Sequence, residues 1–212
     1  MARLETTASS IKLIEFREGD GHWLVRWDFK PKLDENGNEK GVYWYEEEAY
    51  NWIPTIEDIQ RTIVDWCNKQ TDGIIKNSFE WKGIPVLLSE ENKFNFALFA
   101  IEAERRENLI KKWDEENPEH AGQTIIITEG VDTEGNVSEI QIPTGRPSSR
   151  LPITFKLGEG NDTGSFYTFE TIEELFEFTS ASADHLQGSY GAGWYKIGTF
   201  DWTPYIQALE EL

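Results

Sequence analysis

The sequence predicts an α+β fold: a small antiparallel β-meander followed by helix–hairpin–helix and further short antiparallel strands with helices. Three observations lead to it. Between residues 11 and 50, apolar and polar residues alternate between turn signals, which is the period of strands. Between residues 53 and 99, apolar residues recur at three- and four-residue steps on both sides of a tight turn. Beyond residue 122, short β-branched or aromatic runs are followed by a capped helical pattern.

Residues 1–10 are small and polar and read as loosely held. Residues 11–17 read as a strand, and Gly19-Asp20-Gly21 as a turn. From His22 to Lys30, Trp23, Val25, Trp27 and Phe29 alternate with His22, Leu24, Arg26 and Asp28, giving one packing face and one mixed face. Asn36-Gly37 tips the loop over residues 33–41, and Val42 to Glu48 returns as a third strand. A sheet of three strands needs a cover for its apolar face, either the helices that follow or another chain.

Thr55 caps a first helix over about 55–76, with Asp58 as its acidic partner three residues on and Pro54 barring extension backwards. Ile56, Ile59, Ile63, Trp66 or Cys67, Gln70 and Ile74 form its apolar face. Lys82-Gly83 turns a hairpin over residues 78–88. Ser89 caps a second helix over about 89–115, whose apolar face is read as Phe94, Leu98 and Ile101. A hairpin over residues 123–142, turning at 132–136, reads as an insertion that protrudes. Residues 143–150 are a linker or an ordered loop, and 151–157 and 166–170 are partner strands around a loop at 158–165. Thr171 and Glu174 make a capping-box pattern for a third helix, while the glycines of residues 187–194 argue against its continuing. Asp201 caps a last short helix. The expected organisation is an N-terminal β-unit, 1–52, and an α+β module, 53–212, carrying the 123–142 hairpin.

Charge narrows the partners. The net charge is −19, which opposes contact with nucleic acid and anionic membranes. From Pro118 onward there are four Lys or Arg against fifteen Asp or Glu, which reads first as a solvated acidic surface with no specific partner for the charge and second as a surface able to steer toward a basic partner. The single cysteine, Cys67, allows no internal disulfide and reads as a small buried hydrophobe. There is neither an apolar run of membrane-spanning length nor a signal-peptide core, so synthesis in a cytoplasm is expected.

Chemistry-bearing constellations are few. His22, His120 and His185 are far apart and show no metal-ligand spacing. Glu46 and Glu48 fall on one side of a strand, but Glu46-Glu47-Glu48 and Asp114-Glu115-Glu116 read as solvated acid. Asp132 to Asn136 lacks the spacing and closing Glu of a calcium loop. No catalytic, cofactor-binding or metal-binding residue is expected, and no small-molecule substrate. The feature carrying most weight is aromatic: nine of 212 residues are Trp, and Trp23, Trp27, Tyr43, Trp44, Tyr45 and Trp52 crowd the N-terminal strands as a candidate interface. Three readings stay open for them: sheet core, intersubunit contact, or a flat platform for sugar rings.

The stretches Asn68 to Ile75, Phe79 to Val86 and Leu88 to Phe96 resemble a module in proteins of tailed bacteriophages and prophages of gut bacteria, crAss-like phages among them, encoded near virion genes. They are also distantly similar to a domain found beside tail-fibre genes. The resemblance extends to Leu151–Gly158, to the helix start at Phe169–Phe178 and to Gly193–Lys196, and leaves residues 1–50 uncovered. It implies a non-enzymatic structural or assembly protein of a virion, in the tail, collar ring, capsid decoration or fibre attachment. Such a protein is made in the host bacterial cytoplasm, contacts other virion proteins and has scope to form a homo-oligomer. It implies no catalytic residues. The alternatives are a carbohydrate-binding module for host-surface glycan and a fibre or tail assembly chaperone that leaves the particle.

Overall fold

The computed structural model describes residues 4–7, 12–131, 137–159 and 165–212. The turn expected at 132–136 and most of the loop at 158–165 lie outside the described residues. The fold is α+β, as the periodicities require. It divides into two compact units, Met1–Asp72 with Tyr190–Leu212, and Gly73–Ser189. This division differs from the boundary expected at residue 52. A lone β-sheet cannot bury its apolar face, and here helical residues from two later stretches of the chain, one directly after the sheet and one at the C-terminal end, complete its unit.

In the first unit, β1 (Leu4–Thr7), β2 (Ile14–Arg17), β3 (His22–Leu33) and β4 (Glu39–Tyr50) form an antiparallel sheet in the order β1-β4-β3-β2. The predicted meander is β2 to β4. Residues 4–7, expected to be loose, instead pair with Val42 to Tyr45 as an added edge strand. At the β3–β4 loop, Asp34 Oδ1 accepts from the Asn36 and Asn38 amides at 2.8 Å each, and Gly37 takes φ 84°. Within β3, Trp27 opposes Glu46 but Lys30 opposes Trp44, so one extra residue is inserted. Asp28, at φ 56°, supplies the bulge. The shift reverses the side-chain alternation, so Phe29 leaves the face of Trp23, Val25 and Trp27 and stacks on Tyr45 at 5.9 Å.

Helix α1 (Ile56–Asn77) starts on a reciprocal cap. The Asp58 amide donates to Thr55 Oγ1 at 3.2 Å and the Thr55 amide to Asp58 Oδ2 at 3.1 Å. Ile59, Ile63, Trp66 and Cys67 of α1 form one core with Ile14, Val25, Trp27 and Tyr50 of the sheet and with Tyr205 of α4 (Thr203–Glu210). The Tyr205 hydroxyl donates to the Arg26 carbonyl at 2.9 Å. At the far end of α1, Ile75 is buried and the expected Ile74 is exposed, because the buried stripe drifts one position over five turns. Helix α3 (Ile172–Gly198) runs without interruption through the glycines that were expected to break it. Gly193 has a packing reason: a Cβ there would lie 2.4 Å from Thr71 Oγ1, so only glycine lets the two helices meet at that point.

The second unit is built on aromatic rings. β5 (Phe79–Trp81) and β6 (Ile84–Val86) form the predicted hairpin, with Lys82 at φ 49° and Gly83 at φ 81°, the left-handed pair that a two-residue turn demands. β9 (Ile153–Lys156) pairs with β10 (Phe166–Phe169). Phe79, Phe96, Phe155, Phe169 and Phe178 from these strands and helices share one core with Leu88, Leu157 and Leu175. Helix α2 (Glu90–Glu116) is capped by Ser89, whose hydroxyl accepts from the Asn92 amide at 3.2 Å. Its buried stripe is Phe96, Ala100, Ala103 and Ile110. The face predicted to be buried is exposed instead: Phe94 by 67%, Leu98 by 48% and Ile101 by 62%. This helix is apolar on two sides, and the buried one is the side whose alanines allow the closer packed seam, not the one with the bulkier side chains.

Beyond α2 and a short 3-10 turn (Pro118–His120), β7 (Ile125–Val131) and β8 (Val137–Pro143) pair with each other and with no other strand among the described residues. The loop after them is fixed: Arg146 grips Asp114 through two bonds of 2.7 Å. That hydrogen bonding holds the Asp114 carboxyl down at about 2, and Arg17 and the Arg105–Arg106 pair hold Asp20 and Glu102 at about 2 likewise. A carboxyl whose folded value lies below its ordinary one stabilises fully above the ordinary value and loses that contribution as pH falls toward 2. The urea midpoint is therefore expected to fall between pH values of about 4.5 and 2. The gap between wild type and Asp114→Asn should be widest at neutral pH and close in acid; a gap that stayed constant with pH would contradict this. These groups are solvent-screened, so each contribution is small.

Candidate interaction site

The six aromatic residues of the candidate interface do not form one surface. Trp27 is buried and sets its ring edge-on to Trp66, centroids 6.3 Å apart. Trp23 is half-buried against Phe16, at 5.2 Å. Trp44 is half-buried with the Lys32 ammonium 4.8 Å from its ring. Tyr45 lies on the opposite face of the sheet, between Phe29 and the Arg26 guanidinium. Tyr43 is half-buried on that same face, two residues along β4. Trp52 is exposed beyond the end of β4, edge-on to Tyr50 and with its indole N–H 3.4 Å from Asp58. Rings divided between two faces and the core offer no flat platform for a sugar.

A cavity of about 480 Å³ opens on the helix side of the sheet. Trp27, Glu46 and Glu48 line it from the strands, and Thr62, Asp65, Trp66, Lys69 and Gln70 from α1. The pleat puts Glu46 and Glu48 on the face of Trp27 and Val25, as their spacing predicts, while Glu47 points the other way to Arg26 at 2.7 Å. On α1, positions 62, 65, 66, 69 and 70 are one helical stripe, the polar border of the buried face. That border was legible as a repeat but not as a cavity wall, since nothing in the sequence says which strand faces it. The Lys196 ammonium sits 4.2 Å from the centroid of the Trp66 ring and 3.9 Å from Asp28. The indole N–H groups of Trp27 and Trp66 are buried and find no acceptor among the described residues. Among the described residues no set of three or more His, Cys, Asp or Glu is placed to hold a metal ion.

In the second unit, Lys82 Nζ donates to the Tyr167 hydroxyl at 2.9 Å and is paired with Glu174, to which Tyr167 also donates. Here Glu174 completes only half of the predicted capping box: its amide donates to Thr171 Oγ1 at 3.2 Å, while its carboxylate turns to Lys82 and Tyr167. The hydrogen bonds it donates to Glu174 and Tyr167 push the Lys82 ammonium above its ordinary value, and those Glu174 accepts from Lys82 and Tyr167 hold its carboxyl below its own. A lysine used as a base or nucleophile needs the opposite shift, so this triangle is a clamp between hairpin and helix. Burial raises the Cys67 thiol, which keeps it protonated and inert.

No protein-family model, no curated protein and no solved structure matches the chain.

Proposed function

We propose that this chain is a structural or assembly protein of a tailed bacteriophage virion, acting through protein–protein contacts and not through turnover. The observation that supports the reading is uncovered apolar surface on the Gly73–Ser189 unit. The β7–β8 pair is two strands with no third among the described residues. A solitary two-stranded ribbon is marginal in water. On one face it carries Ile126 and Ile142 side by side, with Ile140 next along; Ile140 and Ile142 are exposed. On the other, Glu129 directly opposes Glu139, a like-charge pair that a basic neighbour would relieve. Phe94, Leu98 and Ile101 add an exposed helical stripe. Surfaces of this kind serve contact, and the bacteriophage resemblance of residues 53–115 supplies the setting.

The test is mass spectrometry of purified particles carrying the gene. A resident component is present at a fixed copy number, and replacing residues 125–143 by a two-residue turn lowers that copy number while leaving the chain folded by circular dichroism. Absence of the wild-type chain from particles overturns the resident reading in favour of a departing chaperone. Unchanged incorporation of the shortened chain removes the hairpin from the contact.

A further inference from the structure

We infer that the cavity between β4 and α1 receives an arginine side chain from a basic segment of a partner protein. The carboxylates around it are the unpaired ones of their neighbourhood. Glu47 is bonded to Arg26, Asp28 to Lys30 and Asp58 to Arg61. Glu46 and Glu48, half-buried on the same strand, and Asp65 on the helix have no cationic partner among the described residues, with Lys69 the one positive group on the wall. Carboxylates held partly out of water without a counter-charge favour a ligand that brings one.

The kind of cation follows from the spacing. The carboxylates do not converge as metal ligands, so they suit a cation spread over several donors. A guanidinium carries five N–H groups in a plane and is weakly hydrated, which fits dispersed acceptors beside an indole wall better than a compact ammonium does. The chain already sets an ammonium against Trp66 from Lys196, evidence that this ring accepts positive charge. The net charge of −19 steers such a segment toward the surface. The inference rests on the contact reading above only for the partner's being a virion protein; the chemistry of the cavity is tested on the chain alone.

The probe is the blocked tripeptide acetyl-Gly-Arg-Gly-amide, with citrulline in place of arginine as a neutral control of the same shape. Titration followed by the Trp66 indole signal in nitrogen–proton correlation spectra should saturate with arginine and not with citrulline. The isosteric pair Glu46→Gln and Glu48→Gln together should weaken binding by about tenfold, and added salt should weaken it further. If that double variant does not fold, Asp65→Asn, at an exposed helix position, should give a smaller loss in the same direction. Equal response to citrulline, no saturable response, or undiminished affinity in the folded variants overturns the inference. Each of these leaves the particle measurement untouched, so the two failures are distinguishable.

Discussion

Replacing Phe178 by alanine should unfold the Gly73–Ser189 unit at a much lower temperature. The ring is fully buried and touches four others, with centroids 5.1 Å from Phe96 and Phe169, 5.4 Å from Trp81 and 6.1 Å from Phe79. Truncation removes the transfer free energy of the ring, leaves a cavity among groups from different strands and helices, and deletes edge-to-face pairs. The expected loss is about 3–5 kcal/mol. Against a total of roughly 5–15 kcal/mol for a domain, that is a large fraction. Circular dichroism melts of wild type, Phe178→Ala and Phe178→Leu would order the three, with the leucine variant intermediate because it fills part of the volume. A loss below about 1 kcal/mol would mean that the five-phenylalanine cluster is not the centre of this unit.

Gly193→Ala should destabilise the first unit, although alanine at a helical glycine ordinarily stabilises by about 1 kcal/mol. The added Cβ would lie 2.4 Å from Thr71 Oγ1 and 3.1 Å from its Cγ2. Thr71 cannot easily move aside. It is β-branched and buried, and its hydroxyl donates to the Cys67 carbonyl at 3.0 Å. Overpacking of this kind costs about 1–3 kcal/mol. Gly191, with nothing within 4 Å of its would-be Cβ, is the internal control, and Gly191→Ala should be neutral or stabilising. A double-mutant cycle isolates the contact: Thr71→Ala should cancel most of the cost of Gly193→Ala, a coupling of about 1–3 kcal/mol. Strict additivity would show that the two residues do not meet.

Local signals were the most legible. The Thr55–Asp58 cap, the Ser89 cap, the Lys82-Gly83 and Asn36-Gly37 turns and the pairing of 153–156 with 166–169 are all where short-range chemistry placed them. Each is decided by a few neighbouring residues and needs no knowledge of the rest of the chain. The misreadings share a different character. Residues 4–7 look unremarkable alone and become a strand because β4 offers them an open edge. Phe29 changes face because one bulged residue inverts the alternation after it. On α2, Phe94, Leu98 and Ile101 carry the stronger apolar signal because they are larger than the alanines that seat the helix, yet they lie on its exposed face. Of the candidate interface, the sequence located the aromatic residues but could not say that Trp27 lies in the core while Trp52 stays in solvent.

By itself, then, the order of residues determined the fold class, the caps, the hairpin turns and the excess of negative charge. Tertiary structure alone decided which apolar surfaces are buried, where the chain divides into units, and that Glu46, Glu48 and Asp65 border one cavity. The physical reason is range. Backbone propensity and capping are settled within a turn of helix or a pair of strand residues, whereas burial and cavity walls depend on which distant segments arrive on the same side of a sheet.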